Sequence, residues 1–183
     1  MKFIIVDVKK CTGCRCCELI CAATKENEFI PTKSRIKVVN FSRDGVSVPN
    51  VCLQCRDNPA CQQVCPVDAI SVAKYGALII NTDLCIECGK CVEACPYGMI
   101  EMEEGKPIKC DLCGGNPKCV EYCYAKALKY SELEGSLKEK YQLQLTISNS
   151  EGGSPAERRF ERSLNLKKYY TEDGLNDKVE QKD

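Results

Sequence analysis

Apolar residues along this chain come in short bursts divided by polar turns, and each burst predicts a small element. Phe3, Ile4, Ile5 and Val6 are strand formers and predict a strand over 2–7. Glu18, Leu19, Ala22, Ala23, Lys25 and Glu26 predict a short helix over 17–27. Loose alternation over 35–41 predicts a strand, Asp44-Gly45 a turn, and 46–48 the returning hairpin partner. A repeat follows. Residues 69–73 predict a strand, Lys74-Tyr75-Gly76 a turn and 77–81 a second strand; the same order recurs as 99–102, Glu103-Glu104-Gly105 and 107–109. Residues 127–130 stand as a third, partial copy of the first strand. Farther on, Tyr141, Leu143, Leu145 and Ile147 alternate with Lys140, Gln142, Gln144 and Thr146, which predicts a strand with one dry face. Residues 148–154 have the composition of a Gly/Ser-rich linker. Ser154-Pro155-Ala156-Glu157 has the form of a capping box with proline at the first helical position. A helix to about 169 is expected from it, with Phe160 and Leu164 on one face, and the charged residues beyond are expected to be mobile.

What these elements connect is cysteine. The 183 residues hold 17, and sixteen fall into four groups of four. They are Cys11-x2-Cys14-x2-Cys17-x3-Cys21, Cys52-x2-Cys55-x5-Cys61-x3-Cys65-Pro66, Cys85-x2-Cys88-x2-Cys91-x3-Cys95-Pro96 and Cys110-x2-Cys113-x5-Cys119-x3-Cys123. The third is the bacterial ferredoxin run, in which three close thiolates take three corners of one 4Fe-4S cube and the fourth cysteine serves a neighbouring cluster. The others are variants of it: two lengthen one gap with Asn-Pro, and two lack the final proline. Thiolate is the soft anionic donor such clusters need, and sixteen ligands at four per cube make four clusters. Gly13 and Gly89 are expected to let the backbone pass close to inorganic sulfide, and loop N–H groups directed at sulfur would stabilise the reduced state. Pro66 and Pro96 are expected to open short helices at their first position, pointing Cys65 and Cys95 toward a second cube. Tyr124 stands where the third such proline would be, which leaves that turn less firmly specified.

Composition narrows the alternatives. Only 7% of residues are aromatic and none is Trp, so the conventional core is thin; the clusters would replace it, and the chain is expected to be unstable without iron. Lys plus Arg equals Asp plus Glu at 26 each, which gives no support to nucleic acid or an anionic membrane as a partner. No stretch has the length and apolarity of a membrane span. The apolar run at the start is too short for a signal peptide and no twin-arginine pair is present, so the expected location is cytoplasmic. The odd cysteine count and the spacing argue against a disulfide scaffold. Zinc is the more serious rival, though zinc sites usually pair two C-x2-C units whereas these groups divide as three plus one. With no histidine, histidine-ligated haem, Rieske-type clusters and imidazole catalysis from within this chain are excluded. Cys16, the seventeenth, breaks the rhythm of Cys11, Cys14 and Cys17; it is either a spectator thiol or a redox-sensing or substitute ligand. Tyr75, Tyr97, Tyr122 and Tyr124 are expected to pack against clusters, and the scattered Lys, Asp and Glu to be solvated surface.

With Cys-x2-Cys-x3-Pro-x-Cys-x3-Cys-Pro in the second group and Lys109-Cys-Asp-Leu-Cys opening the fourth, residues 1–131 resemble a known family. It is that of the four-cluster ferredoxin-like electron-transfer subunits of molybdenum and tungsten oxidoreductases, of the dimethyl sulfoxide reductase, formate dehydrogenase or tungsten aldehyde oxidoreductase type. The resemblance implies an α+β fold of two nested bacterial-ferredoxin-like modules with short helices and hairpins. The outer module would take 1–50 and 106–131 and the inner one 51–105; 132–183 would be a strand–helix extension for partner docking or edge cover. It also implies crossed ligation: Cys11, Cys14, Cys17 with Cys123; Cys110, Cys113, Cys119 with Cys21; Cys52, Cys55, Cys61 with Cys95; and Cys85, Cys88, Cys91 with Cys65. The implied role is a non-catalytic electron wire. Its partners would be a large catalytic subunit of molybdenum or tungsten pterin type and a ferredoxin or flavoprotein carrier. The alternatives are a free polyferredoxin, or the equivalent subunit of a carbon monoxide dehydrogenase or hydrogenase assembly.

Overall fold

Across residues 1–146 and 152–171, the part described by the computed structural model, the strands form four antiparallel pairs and no larger sheet. β1 (Lys2–Val6) pairs with β8 (Leu128–Glu132), Lys2 facing Glu132 and Val6 facing Leu128. β2 (Lys37–Phe41) and β3 (Val46–Asn50) form a hairpin whose reversal uses Gly45 at φ +65. β4 (Ile70–Val72) pairs with β5 (Leu78–Ile80), and β6 (Ile100–Glu103) with β7 (Lys106–Lys109). The partial third repeat thus finds its second strand at the beginning of the chain.

Four short helices carry the third cysteine of each group. They are α1 (Cys16–Glu26), α2 (Ala60–Gln63), α3 (Lys90–Ala94) and α4 (Lys118–Glu121), bearing Cys17, Cys61, Cys91 and Cys119. Pro59 and Pro117, from the two Asn-Pro gaps, stand immediately before α2 and α4. α1 packs on α4, and α2 on α3. The buried apolar residues divide along the same line. Ile4, Val6, Val38, Val48, Leu112 and Leu128 surround Cys17, Cys21 and Cys119. Leu53, Ile70, Leu78, Val92, Met99 and Ile100 surround Cys52, Cys61, Cys91 and Cys95.

Three expectations are corrected. Pro66 and Pro96 do not open helices; the helix precedes the cysteine, and each proline begins a turn after it. Asp68 N–H bonds the Cys65 carbonyl at 3.5 Å and Gly98 N–H the Cys95 carbonyl at 3.1 Å. A proline's fixed φ suits the second position of such a turn as well as it suits a first helical turn. The turn after Cys123 is the same, with Lys126 N–H on the Cys123 carbonyl at 3.0 Å, although Tyr124 stands there in place of proline.

The predicted strand at 140–147 is a helix, α5 (Gly135–Thr146), with Ile147 outside the described residues. Leu137, Tyr141, Gln144 and Leu145 also satisfy helical spacing, and Leu, Lys, Glu and Gln are strong helix formers. Packing decides between the two periods. Tyr141 is buried with its ring 4.8 Å from Phe3 and its hydroxyl 2.6 Å from the Leu53 carbonyl, and Gln144 Nε2 donates to the Val6 carbonyl at 3.3 Å.

The helix predicted from the capping box is α6 (Pro155–Thr171). Ser154 N–H donates to Glu157 Oε2 at 2.6 Å, and Glu157 N–H to Ser154 Oγ at 3.3 Å. Its inner face is not the apolar one: Arg158, Arg159, Arg162, Ser163 and Leu166 are buried while Phe160 is 53% exposed. Long basic stems bury readily when the head finds acceptors. Here Arg158 reaches the Val92 carbonyl at 2.8 Å, Arg159 reaches Glu101 at 2.5 Å, and Ser163 accepts from Asn50 at 2.8 Å. Most of the predicted linker and the charged tail lie outside the described residues. Among those described, no helix is long and apolar enough to cross a membrane.

Candidate functional site

Each C-x2-C loop turns through a left-handed residue just before its second cysteine: Gly13 (φ +69), Gln54 (φ +51), Glu87 (φ +59) and Leu112 (φ +55). The geometry repeats although only one of the four is glycine, a regularity hidden from composition. At Gly13 a Cβ would also crowd the Ser47 side chain. Gly89 at φ +73 has open space around it, so its backbone conformation alone favours glycine.

These loops wall three apolar cavities. One, about 320 Å³ including space open to solvent, is lined by Cys65, Cys85, Cys88 and Cys91. Another, about 370 Å³, is lined by Cys21, Cys110, Cys113 and Cys119. The last, about 360 Å³, is lined by Cys52, Cys55, Cys61 and Cys95. Each therefore brings three cysteines of one group to the last cysteine of another. The remaining four also neighbour one another: Cys11 feels the charges of Cys123 and Cys14, and Cys17 those of Cys11 and Cys14. Near-equal volumes suit repeated accommodation of one kind of group.

The donor chemistry fits an iron–sulfur cube better than a single ion. Among the described residues, no three Cys, Asp, Glu or His side chains converge tightly enough for one metal. In a cube, each thiolate takes its own corner iron, so the sulfurs stand around a volume instead of meeting at a point. Burial pushes the thiols of Cys17, Cys55, Cys61 and Cys110 up to about 12, and that of Cys119 well above its ordinary value. A bare thiolate in such a place is costly, and bound iron supplies the compensating charge. Backbone N–H groups aim at three of the outlying sulfurs: Arg35 at Cys21 (3.3 Å), Ala69 at Cys65 (3.2 Å) and Met99 at Cys95 (3.4 Å).

Charged residues expected at the surface form part of this interior. The Lys109 ammonium donates to the Leu78 carbonyl at 2.7 Å, and to Gln54 Oε1 and the Cys110 carbonyl at 3.2 Å each. Burial lowers its pKa, but the neighbouring Cys52, Cys110 and Cys61 sulfurs outweigh that and the net shift is upward. Glu18 is buried beside Cys17 and accepts the Val38 N–H at 2.6 Å. Of the four tyrosines expected against clusters, Tyr97 is buried in the wall of the Cys52 cavity and Tyr75 packs on the first core. Tyr122 and Tyr124 are exposed, the latter bonding Thr12 at 2.9 Å. Cys16 is exposed in the first turn of α1.

Residues 78–101, which contain Cys85, Cys88, Cys91 and Cys95, match the family model described as a 4Fe-4S binding domain. The polyferredoxin-like subunit of aliphatic sulfonate oxidoreductase from Pyrococcus furiosus is 46% identical over 125 residues, covering 67% of this chain and 71% of the relative. Electron transport protein HydN of Escherichia coli is 36% identical over 157 residues, covering 69% and 86%. A tetrathionate reductase subunit of Archaeoglobus fulgidus is 40% identical over 113 residues, covering 60% of this chain and 53% of that protein.

Proposed function

This chain belongs to the iron–sulfur electron-transfer subunits of oxidoreductases, and we propose that it carries four 4Fe-4S clusters as the electron wire of a molybdenum- or tungsten-pterin enzyme. The observation that carries this reading is the set of cavities in which three cysteines of one group meet the last of another. On that basis Cys11, Cys14, Cys17 and Cys123 hold one cluster, and Cys21, Cys110, Cys113 and Cys119 the second. Cys52, Cys55, Cys61 and Cys95 hold the third, and Cys65, Cys85, Cys88 and Cys91 the fourth. The two modules are then nested, 51–105 within 1–50 and 106–131, and α6 lies against both, packing on β3 and bonding the Val92 and Gly98 carbonyls.

A bound cluster supplies a one-electron couple. The chain's own part is to bind it through thiolates, direct N–H groups at sulfur, and exclude water with apolar walls. The absence of histidine and of a catalytic constellation fits a non-catalytic role, as do relatives whose names describe electron transport proteins or subunits of oxidoreductases. Electrons would pass between the partner's active site and a ferredoxin or flavoprotein.

Anaerobic purification from the source, with metal analysis and native mass, tests the proposal. About sixteen iron and sixteen sulfide per chain are expected, together with a large subunit containing molybdenum or tungsten. A preparation saturated with zinc and lacking broad visible absorption would overturn it. A loaded chain with no large partner would favour the free polyferredoxin.

A further inference from the structure

We propose that the cavity of Cys52, Cys55, Cys61 and Cys95 holds the cluster of highest reduction potential in this chain, raised by two buried cations, Lys109 and Arg162, that no carboxylate among the described residues neutralises. The inference rests on the cluster-binding reading above and adds an order of potentials to it.

Reducing a thiolate-bound cube adds one negative charge to a group that is already anionic. Its potential therefore rises with each nearby positive charge that no other group neutralises, and more steeply where water is excluded. Lys109 lines this cavity, its ammonium held by three oxygen acceptors and by no carboxylate among the described residues. Arg162, on the inner face of α6, is 1% exposed. Its guanidinium carbon lies 5.7 Å from the centre of the Tyr97 ring, which lines the same cavity. Burial lowers its pKa only to about 10, so it is charged at neutral pH. Nη1 donates to the Val51 carbonyl at 3.2 Å, while Nε and Nη2 have no hydrogen-bond partner among the described residues. A buried guanidinium left so incompletely satisfied is expensive unless an anion faces it. The anion that fits is the cluster beyond Tyr97.

Lys109 also donates to the Cys110 carbonyl of the Cys21 set, but none of the other three cysteine sets has both cations beside it. Beside the Cys21 set, Lys25 is paired with Asp111 and Arg35 with Glu26. Beside the Cys11 set lies the buried carboxyl of Glu18, paired with Arg15 at 3.7 Å, so no unpaired buried cation stands there. Lys90, which lines the Cys65 cavity, is exposed and screened by water. α6 thus brings a cation that the four cysteine groups do not themselves encode.

The test is an EPR-monitored redox titration of the full, anaerobically loaded chain. Cys55→Ser identifies which signal belongs to this cavity. That signal should have the highest midpoint of the four. Arg162→Gln and Lys109→Gln should each cost it at least a tenfold preference for the reduced form, about 59 mV for one electron. Arg162→Lys should restore most of the loss, and the other midpoints should move less. If Lys109→Gln fails to retain iron, Arg162→Gln and Arg162→Lys decide. A highest-potential signal untouched by Cys55→Ser, or an unmoved midpoint in Arg162→Gln with full iron content, overturns the inference and leaves cluster binding standing. A Cys55→Ser chain with unchanged iron and unchanged spectra would sink the ligand assignment and this inference with it.

Discussion

Lys25 and Asp111 form an ion pair of 2.6 Å across 86 positions of sequence, tying the helix of the first cysteine group to the loop of the fourth. Asp111 also accepts the Cys113 N–H at 3.0 Å, so one carboxylate orients a cysteine loop and anchors it to a distant helix. Lys25→Met should cost about 1 kcal/mol, because the pair is only partly shielded from water. Hydrogen exchange on the loaded protein should place the loss of protection in 16–26 and 110–121. A loss spread evenly over the chain would mean that the pair does not join these two segments.

The proposed crossed ligation has a direct consequence. Cys21→Ser should remove about four iron per chain and expose Cys110, Cys113 and Cys119 to alkylation, while Cys11, Cys14 and Cys17 remain protected. Peptide mapping after alkylation reads this out. Protection lost at the Cys11 loop instead would mean that each group serves its own cluster.

Cys16 is exposed and lies beside Cys14, whose hydrogen bond and charge raise its pKa. Thiolate is the reactive form. In the loaded protein one thiol should therefore react with iodoacetamide, slowly at neutral pH and faster as pH rises. Cys16→Ala should abolish that reaction and leave the iron content unchanged. A fall in iron would make Cys16 a ligand.

Much of this architecture was legible because its rules are local. Cysteine spacing, the Asp-Gly hairpin turn and the Ser154/Glu157 capping box each need only a few adjacent residues. The features that escaped depend on distant ones. Tyr141 and Leu145 fit two periods at once, and contacts with Phe3 and the Leu53 and Val6 carbonyls make the helix the better packed choice. Arg158, Arg159 and Arg162 read as surface in any polar/apolar pattern, since the carbonyls that accept them lie at Val92, Gly98 and Val51. Lys109 opens a local motif, but its enclosure depends on β5 and the Gln54 loop coming alongside.

Tyr141 is the anchor of α5. Tyr141→Phe keeps the contact with Phe3 and loses the bond to the Leu53 carbonyl, which should cost about 1 kcal/mol. Tyr141→Ala removes the ring as well and should cost about 3–5 kcal/mol. Anaerobic denaturant titration followed by cluster absorbance measures both. Equal losses would mean that the ring contributes nothing beyond its hydroxyl.

The start of α6 gives a pH-dependent prediction. Glu157's carboxyl is held below its ordinary pKa by the Ser154 N–H it accepts, with a smaller effect of the nearby Arg158 charge. A carboxyl with a depressed folded-state pKa contributes stability that is complete above the unfolded-state value and fades as pH falls through the folded one. Protection factors of the first-turn amides of α6, corrected for intrinsic exchange, should stay level from neutral to mildly acid pH and then drop. Glu157→Gln should show lower protection with no such drop. Ser154→Ala, which removes the reciprocal acceptor, should cost the helix about 1 kcal/mol at every pH. Because the same helix carries Arg158, Arg159 and Arg162 onto the carbonyls of Val92, Gly98 and Val51, close in sequence to Cys91, Cys95 and Cys52, both variants should bleach faster in air than the parent at neutral pH. A weakened first turn with unchanged bleaching would show that α6 does not shield the clusters.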